Sequence, residues 1–162
     1  MIDSNDVCKD KVKEAVKQGR IERGDAIEAL IEFFLKDSLD GFRWESKQKT
    51  YSTVDFSCDD FYLEVKQRKA SYDPQFFDKD KLDKIWQVYT EKPTLYMFLN
   101  SETKRSSEPT VYVCNLSSLQ IKGLPTVTFD GKEQYKIPLS EFRSVVSGAK
   151  LAATLVSVAG GN

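Results

Sequence analysis

Two β-patterned runs meet at the acidic pair Asp59-Asp60, in the stretch TVDFSCDDFYLEVKQRK that covers 53–69. If that pair is the tip of a hairpin, Asp55 falls directly opposite Glu64 and Thr53 opposite Lys66. Directly opposed side chains share one face of a sheet, with Cβ atoms about 4.5–5.5 Å apart. Strand alternation places Glu64 and Lys66 on that face and turns Leu63 and Val65 the other way, into a core. The spacing therefore predicts two carboxylates and an ammonium gathered at one spot: a metal site with a lysine beside it.

The absence of histidine narrows the chemistry. It removes Ser-His-Asp and Cys-His nucleophilic sites, histidine-ligated zinc and a histidine general base. Cys8, Cys58 and Cys114 are widely spaced and odd in number, which suits a reducing cytoplasm better than a disulfide framework. The N-terminus lacks the apolar stretch of a signal peptide, and no run approaches the roughly 20 apolar residues of a membrane span. A net charge of −1 over 162 residues supplies no global field toward nucleic acid, so such binding requires a local patch. Lys47, Lys49, Lys66, Arg68, Lys69, Lys79, Lys81 and Lys84 form one around the hairpin, partly cancelled by Asp73, Asp78, Asp80 and Asp83.

Elsewhere the pattern predicts a single domain over 1–162, with a core of about 23–100 and C-terminal strands and a helix over 110–162. An opening helix is expected over Asn5 to Gln18, and a second from Asp25 to about Lys36, whose Ala26, Ile27, Leu30, Ile31, Phe34 and Leu35 recur at helical spacing. Glu28 projects from the rim of that apolar stripe, where it can reach a neighbouring cleft. Phe42 to Ser46 is a candidate first strand. The hairpin strands cover about Thr50–Phe56 and Phe61–Gln67. A loop then covers Ala70 to Phe77, followed by a helix to about Thr90 and a buried strand, Thr94–Leu99. A helix between two strands is a crossover, and crossovers join parallel strands. Thr110–Asn115 is a further strand. Asp130-Gly131 is expected to turn a pair formed by Thr126–Phe129 and Gln134–Ile137, and Ser140 to cap a last helix from Glu141. The expected architecture is α/β, a mixed central β-sheet flanked by helices.

Asp55 and Glu64 are hard oxygen donors suited to Mg2+, with Mn2+ able to substitute; the Val65 carbonyl is a further candidate donor. Lys66 is placed to orient or deprotonate a water, or to offset charge growing on a phosphate. The set fits phosphodiester hydrolysis without histidine. Its alternative is an ion-pair cluster on a sheet surface. Arg68 is either a phosphate contact or a solvated arginine, and Tyr62 either stacks on a base or covers the metal cleft. Trp86 and Tyr89 read as helix-to-sheet core.

Val54-Asp55 followed by Glu64-Val65-Lys66 resembles the signature of the PD-(D/E)xK nuclease superfamily, with Val54 in place of the usual proline. Arg23-Gly24-Asp25-Ala26-Ile27-Glu28 is similar to the RG-x-x-x-E opening of archaeal Holliday-junction resolvases in that superfamily. The resemblance implies a restriction-endonuclease-like fold and a Mg2+-dependent nuclease, an endonuclease acting on DNA. It implies catalytic Asp55, Glu64, Lys66 and Glu28, with metal held by Asp55, Glu64, Val65 and Glu28. Arg68, Lys69, Lys49 and Tyr62 are the expected nucleic-acid contacts. Resolution of a junction would also require a two-fold homodimer. The alternative is a catalytically inactive nuclease-fold protein that binds nucleic acid or another protein.

Overall fold

The computed structural model describes residues 23–48, 52–68, 71–100, 110–145 and 150–160. The expected helix over Asn5 to Gln18 and the loop Ser101–Pro109 lie outside the described residues, as do Lys49 and Lys69. Helix α1 (Arg23–Leu35) is followed by β1 (Arg43–Trp44), the single turn α2 (Glu45–Gln48), β2 (Phe56–Ser57) and β3 (Tyr62–Arg68). Then come β4 (Gln75–Asp78), α3 (Lys79–Val88), β5 (Thr94–Asn100), β6 (Val111–Asn115) and α4 (Leu116–Lys122). The hairpin β7 (Thr126–Phe129) and β8 (Lys132–Ile137), a 3-10 turn (Leu139–Glu141), β9 (Arg143–Val145) and α5 (Leu151–Ala159) complete the chain.

These elements form a six-stranded mixed sheet, ordered β1-β2-β3-β5-β6-β9, and a three-stranded sheet, β4-β8-β7. In the larger sheet only β3 and β5 run parallel, with Glu64 beside Tyr96 and Lys66 beside Phe98. The α/β mixed sheet with helices is therefore as the pattern implied. Each face of the large sheet has its own core. Leu63, Val65, Leu95, Met97 and Leu99 pack with Ile31 and Leu35 of α1 and with Leu151, Leu155 and Val158 of α5. On the other face Tyr96 and Phe98 pack with Leu82 and Ile85 of α3, Leu116 and Leu119 of α4, and Phe77, Tyr135 and Ile137 of the small sheet. Trp86 and Tyr89 lie against this second core, and the Trp86 indole donates to the Leu116 carbonyl at 2.9 Å.

Four local expectations are corrected, and the first is the strand Phe42 to Ser46: only Arg43–Trp44 is extended, and the chain turns into α2 at Glu45. The first hairpin strand is only Phe56–Ser57, because residues 53–55 bend away, so Thr53 is not paired with Lys66. The segment expected as a loop up to Phe77 contains β4, which pairs with β8 from Gln75↔Ile137 to Asp78↔Gln134. No helix starts at Glu141: after the 3-10 turn the chain extends as β9 and pairs with β6. The last helix begins at Leu151. In the latter two cases a partner distant in sequence supplies backbone hydrogen bonds or apolar contacts that local propensity does not record.

Candidate active site

The predicted hairpin register is present: Phe56 pairs with Leu63 and Ser57 with Tyr62. Just beyond the last pair, the Asp55 amide donates to the Leu63 carbonyl at 3.1 Å. The Asp55 carboxylate returns the link by accepting from the Val65 amide at 2.9 Å. Both bonds fix Asp55 against β3, on which Glu64, Val65 and Lys66 follow in turn. Buried Val54, 1% exposed, anchors the bend from inside.

Glu28 arrives from α1. Its Oε1 accepts from the Ser46 hydroxyl at 2.6 Å and, more weakly, from the Trp44 indole at 3.4 Å. The same indole donates to Ser46 Oγ at 3.0 Å, and its ring lies against Phe56. The turn after β1 thus holds the glutamate toward Asp55. Three elements distant in sequence bring Glu28, Asp55 and Glu64 into one cluster.

That cluster is short of positive charge. Partial burial, then a hydrogen bond with Asp55, pushes the Glu28 carboxyl up to about 7. Burial, then the neighbouring charge of Glu64, pushes Asp55 up to about 7 as well. Glu64 is 6% exposed. Its Oε2 lies 2.8 Å from the Lys81 ammonium of α3, yet that oxygen has no partner in hydrogen-bonding geometry. The contact is an ion pair by distance, and it leaves the buried oxygen's directional capacity unused.

The cluster opens onto a cleft of about 610 Å3 lined by all three acids, Val65, Lys66, Gln67 and Arg68, with Phe77, Asp78, Lys81, Tyr96, Lys132 and Gln134. Its floor is β3 and β5, and its opposite wall is the small sheet and the start of α3. Lys66 is exposed within it. Arg68 donates from Nη2 to the Phe76 carbonyl at 2.9 Å, so it ties β3 to β4. Tyr62 is placed differently from the expectation. It does not line the cleft; its ring packs edge-on against Tyr89 at 4.8 Å, with the Lys92 ammonium 4.5 Å from its centroid.

Lys132 and Gln134 had no assigned role in the sequence pattern, and Lys81 figured there only as one charge of the basic patch. Lys81 carries a local signal, because Asp78 caps α3 by accepting from the Lys81 amide at 3.1 Å, which places this lysine in the first turn. Lys132 and Gln134 carry none, since only the pairing of β8 with β4 brings them to the cleft.

The donor types are those a hard divalent cation takes: carboxylate oxygens, two of them on acids whose protonation is favoured by burial and then by a neighbouring acid, and one buried oxygen with no hydrogen bond. As placed, the acids hydrogen-bond to each other, and among the described residues no group of three or more His, Cys, Asp or Glu side chains is arranged so that it could hold a metal ion. Among these residues, too, no helix is long and apolar enough to cross a membrane. Compared with known proteins, the chain matches no family model, no curated protein and no solved structure.

Proposed function

We propose that this chain is a metal-dependent nuclease of the PD-(D/E)xK type, with a restriction-endonuclease-like fold, that hydrolyses phosphodiester bonds in DNA. The observation that carries the reading is the convergence of Glu28, Asp55 and Glu64 beside the exposed Lys66, in a cleft large enough for a nucleotide. Two partly buried acids with protonation raised to near neutrality are costly for folding alone, and such groups gather at functional sites. A solvated ion-pair cluster would not bury Glu64.

Asp55, Glu64 and Glu28, with the Val65 carbonyl, would hold Mg2+, with Mn2+ as a substitute. When bound, the ion polarises the phosphate and acidifies a water. Lys66 orients the attacking water and offsets the negative charge that grows on the phosphate as the new P–O bond forms and the bond to the leaving oxygen breaks. Arg68, braced on Phe76, and Lys81 face the same cleft and meet flanking phosphates. Ser46 and Trp44 hold Glu28 in place, and the Val65 amide does so for Asp55.

The second reading, an inactive nuclease-like domain that binds nucleic acid or a protein, is favoured by one observation: Lys81 already neutralises Glu64. A cleavage panel of single-stranded, duplex and four-way-junction DNA in Mg2+ and Mn2+ separates the two. Cleavage abolished by chelation and by Glu64→Gln, with the folded state intact, is the expected result. Salt-dependent binding with no cleavage in either metal selects the second reading, and cleavage that survives Glu64→Gln and Lys66→Ala overturns the mechanism.

A further inference from the structure

The small sheet presents an aromatic surface beside the cleft that the fold does not use. The β7–β8 hairpin turns through Asp130 at φ 54° and Gly131 at φ 77°. A two-residue turn with both φ positive is the tight type I′ geometry that matches strand twist. It holds Phe129 in register with Lys132. Phe129 is 58% exposed, although its ring stacks on Phe76 with centroids 5.5 Å apart. A large ring so open to water adds little to a core.

This surface is linked to the candidate site in two ways. Arg68, two residues beyond Lys66 on β3, holds the Phe76 carbonyl. Lys132 and Gln134 of β8 line the cleft, whereas Tyr135 and Ile137, of the opposite parity, face the second core. By alternation Lys136 stands on the same side as Lys132. The cleft therefore has two chemically distinct ends. Acids collect at Glu28, Asp55 and Glu64, while Lys132 and the stacked phenylalanines stand on the small sheet. Asp78, which lines the cleft, is engaged in capping α3; the hairpin's own acids are Asp130 in the turn and Glu133, which alternation puts on the other side of β8 from Lys132.

We infer that the Phe129–Phe76 pair is a base-stacking platform, and that the substrate class is nucleic acid with unpaired bases close to the scissile phosphate. In a duplex the flat faces of the bases are covered by their neighbours. An exposed aromatic ring flanked by lysines gains from a base only where the strand is single, frayed or flipped. Lys66, Arg68, Lys81 and Lys132 supply charge complementary to its phosphates. This rests on the nuclease reading for the nature of the cleft, but the binding it predicts needs no turnover.

The test uses the full chain in EDTA with three labelled probes: an oligothymidylate of about 12 nucleotides, an abasic strand of the same length, and a blunt hairpin duplex. Phe129→Ala is expected to weaken oligothymidylate binding about 5- to 100-fold and to leave the abasic strand and duplex nearly unchanged; Phe129→Tyr restores affinity. An equal loss on the abasic strand, no loss on oligothymidylate, or no binding to any probe overturns the platform. The nuclease reading fails separately. A base-dependent loss at Phe129 in a chain that cleaves nothing leaves the platform standing, whereas cleavage indifferent to Phe129 removes the platform alone.

Discussion

The two faces of β3 are built on opposite terms. Leu63 and Val65 enter a core closed by α1 and α5, where each buried aliphatic side chain contributes about 1.5–3 kcal/mol. One residue along, Glu64 is equally buried but faces two other carboxyls and a single ammonium. The first face stabilises the strand and the second draws on that stability. A strand pinned by β2 on one side and β5 on the other can carry such a cluster without distorting.

Substitutions can break this contrast. The largest expected effect is on the polar face: under the proposed nuclease function Lys66→Ala lowers the rate of DNA cleavage about 10²–10⁴-fold, while the thermal midpoint stays near wild type because Lys66 is exposed. An accompanying loss of stability would show that this face is structural. Next, Leu63→Ala on the apolar face costs about 2–5 kcal/mol of unfolding free energy in a denaturant titration. A loss below about 1 kcal/mol would show that the core collapses around the change.

A smaller effect sharpens the charge imbalance. The folded state holds a proton on Asp55 up to about pH 7, whereas the unfolded chain releases it near pH 4. Between those values the folded form binds more protons, so wild-type stability falls as pH rises relative to Asp55→Asn. At pH 8 the metal-free variant is expected to be about 1–3 kcal/mol more stable, the range reflecting partial solvent screening. Equal stability of the two across pH 4–8 would remove the imbalance. The smallest effect tests the hairpin's footing. Gly41 sits at φ 68° and a Cβ there would collide with the Asp59 carboxylate, so Gly41→Ala is expected to cost about 1 kcal/mol. Thermal unfolding of the variant measures it.

The Asp55–Glu64 register was legible because its causes are local, whereas the approach of Glu28 depends on Trp44 and Ser46, 16 and 18 residues away. An acidic turn, strict alternation and a glutamate at the rim of a helical stripe are visible in one strand pair and one helix. The small sheet was not. Gln75–Asp78 is short and follows Asp73-Pro74, so it reads as loop until β8 is beside it. Helix α4 did leave a trace, since the Asn115 side chain accepts from the Ser118 amide at 3.2 Å. Ser140-Glu141 looked like a helix start, but Arg143–Val145 gains more by extending along β6. The wall of the cleft therefore depends on pairings across more than fifty positions, which no local periodicity encodes.

Asp78 ends β4 and caps α3 in the same residue, so no joint separates the small sheet from the helix that bears Lys81. The ammonium that meets the buried glutamate is therefore set out from the same corner that also carries one wall of the cleft.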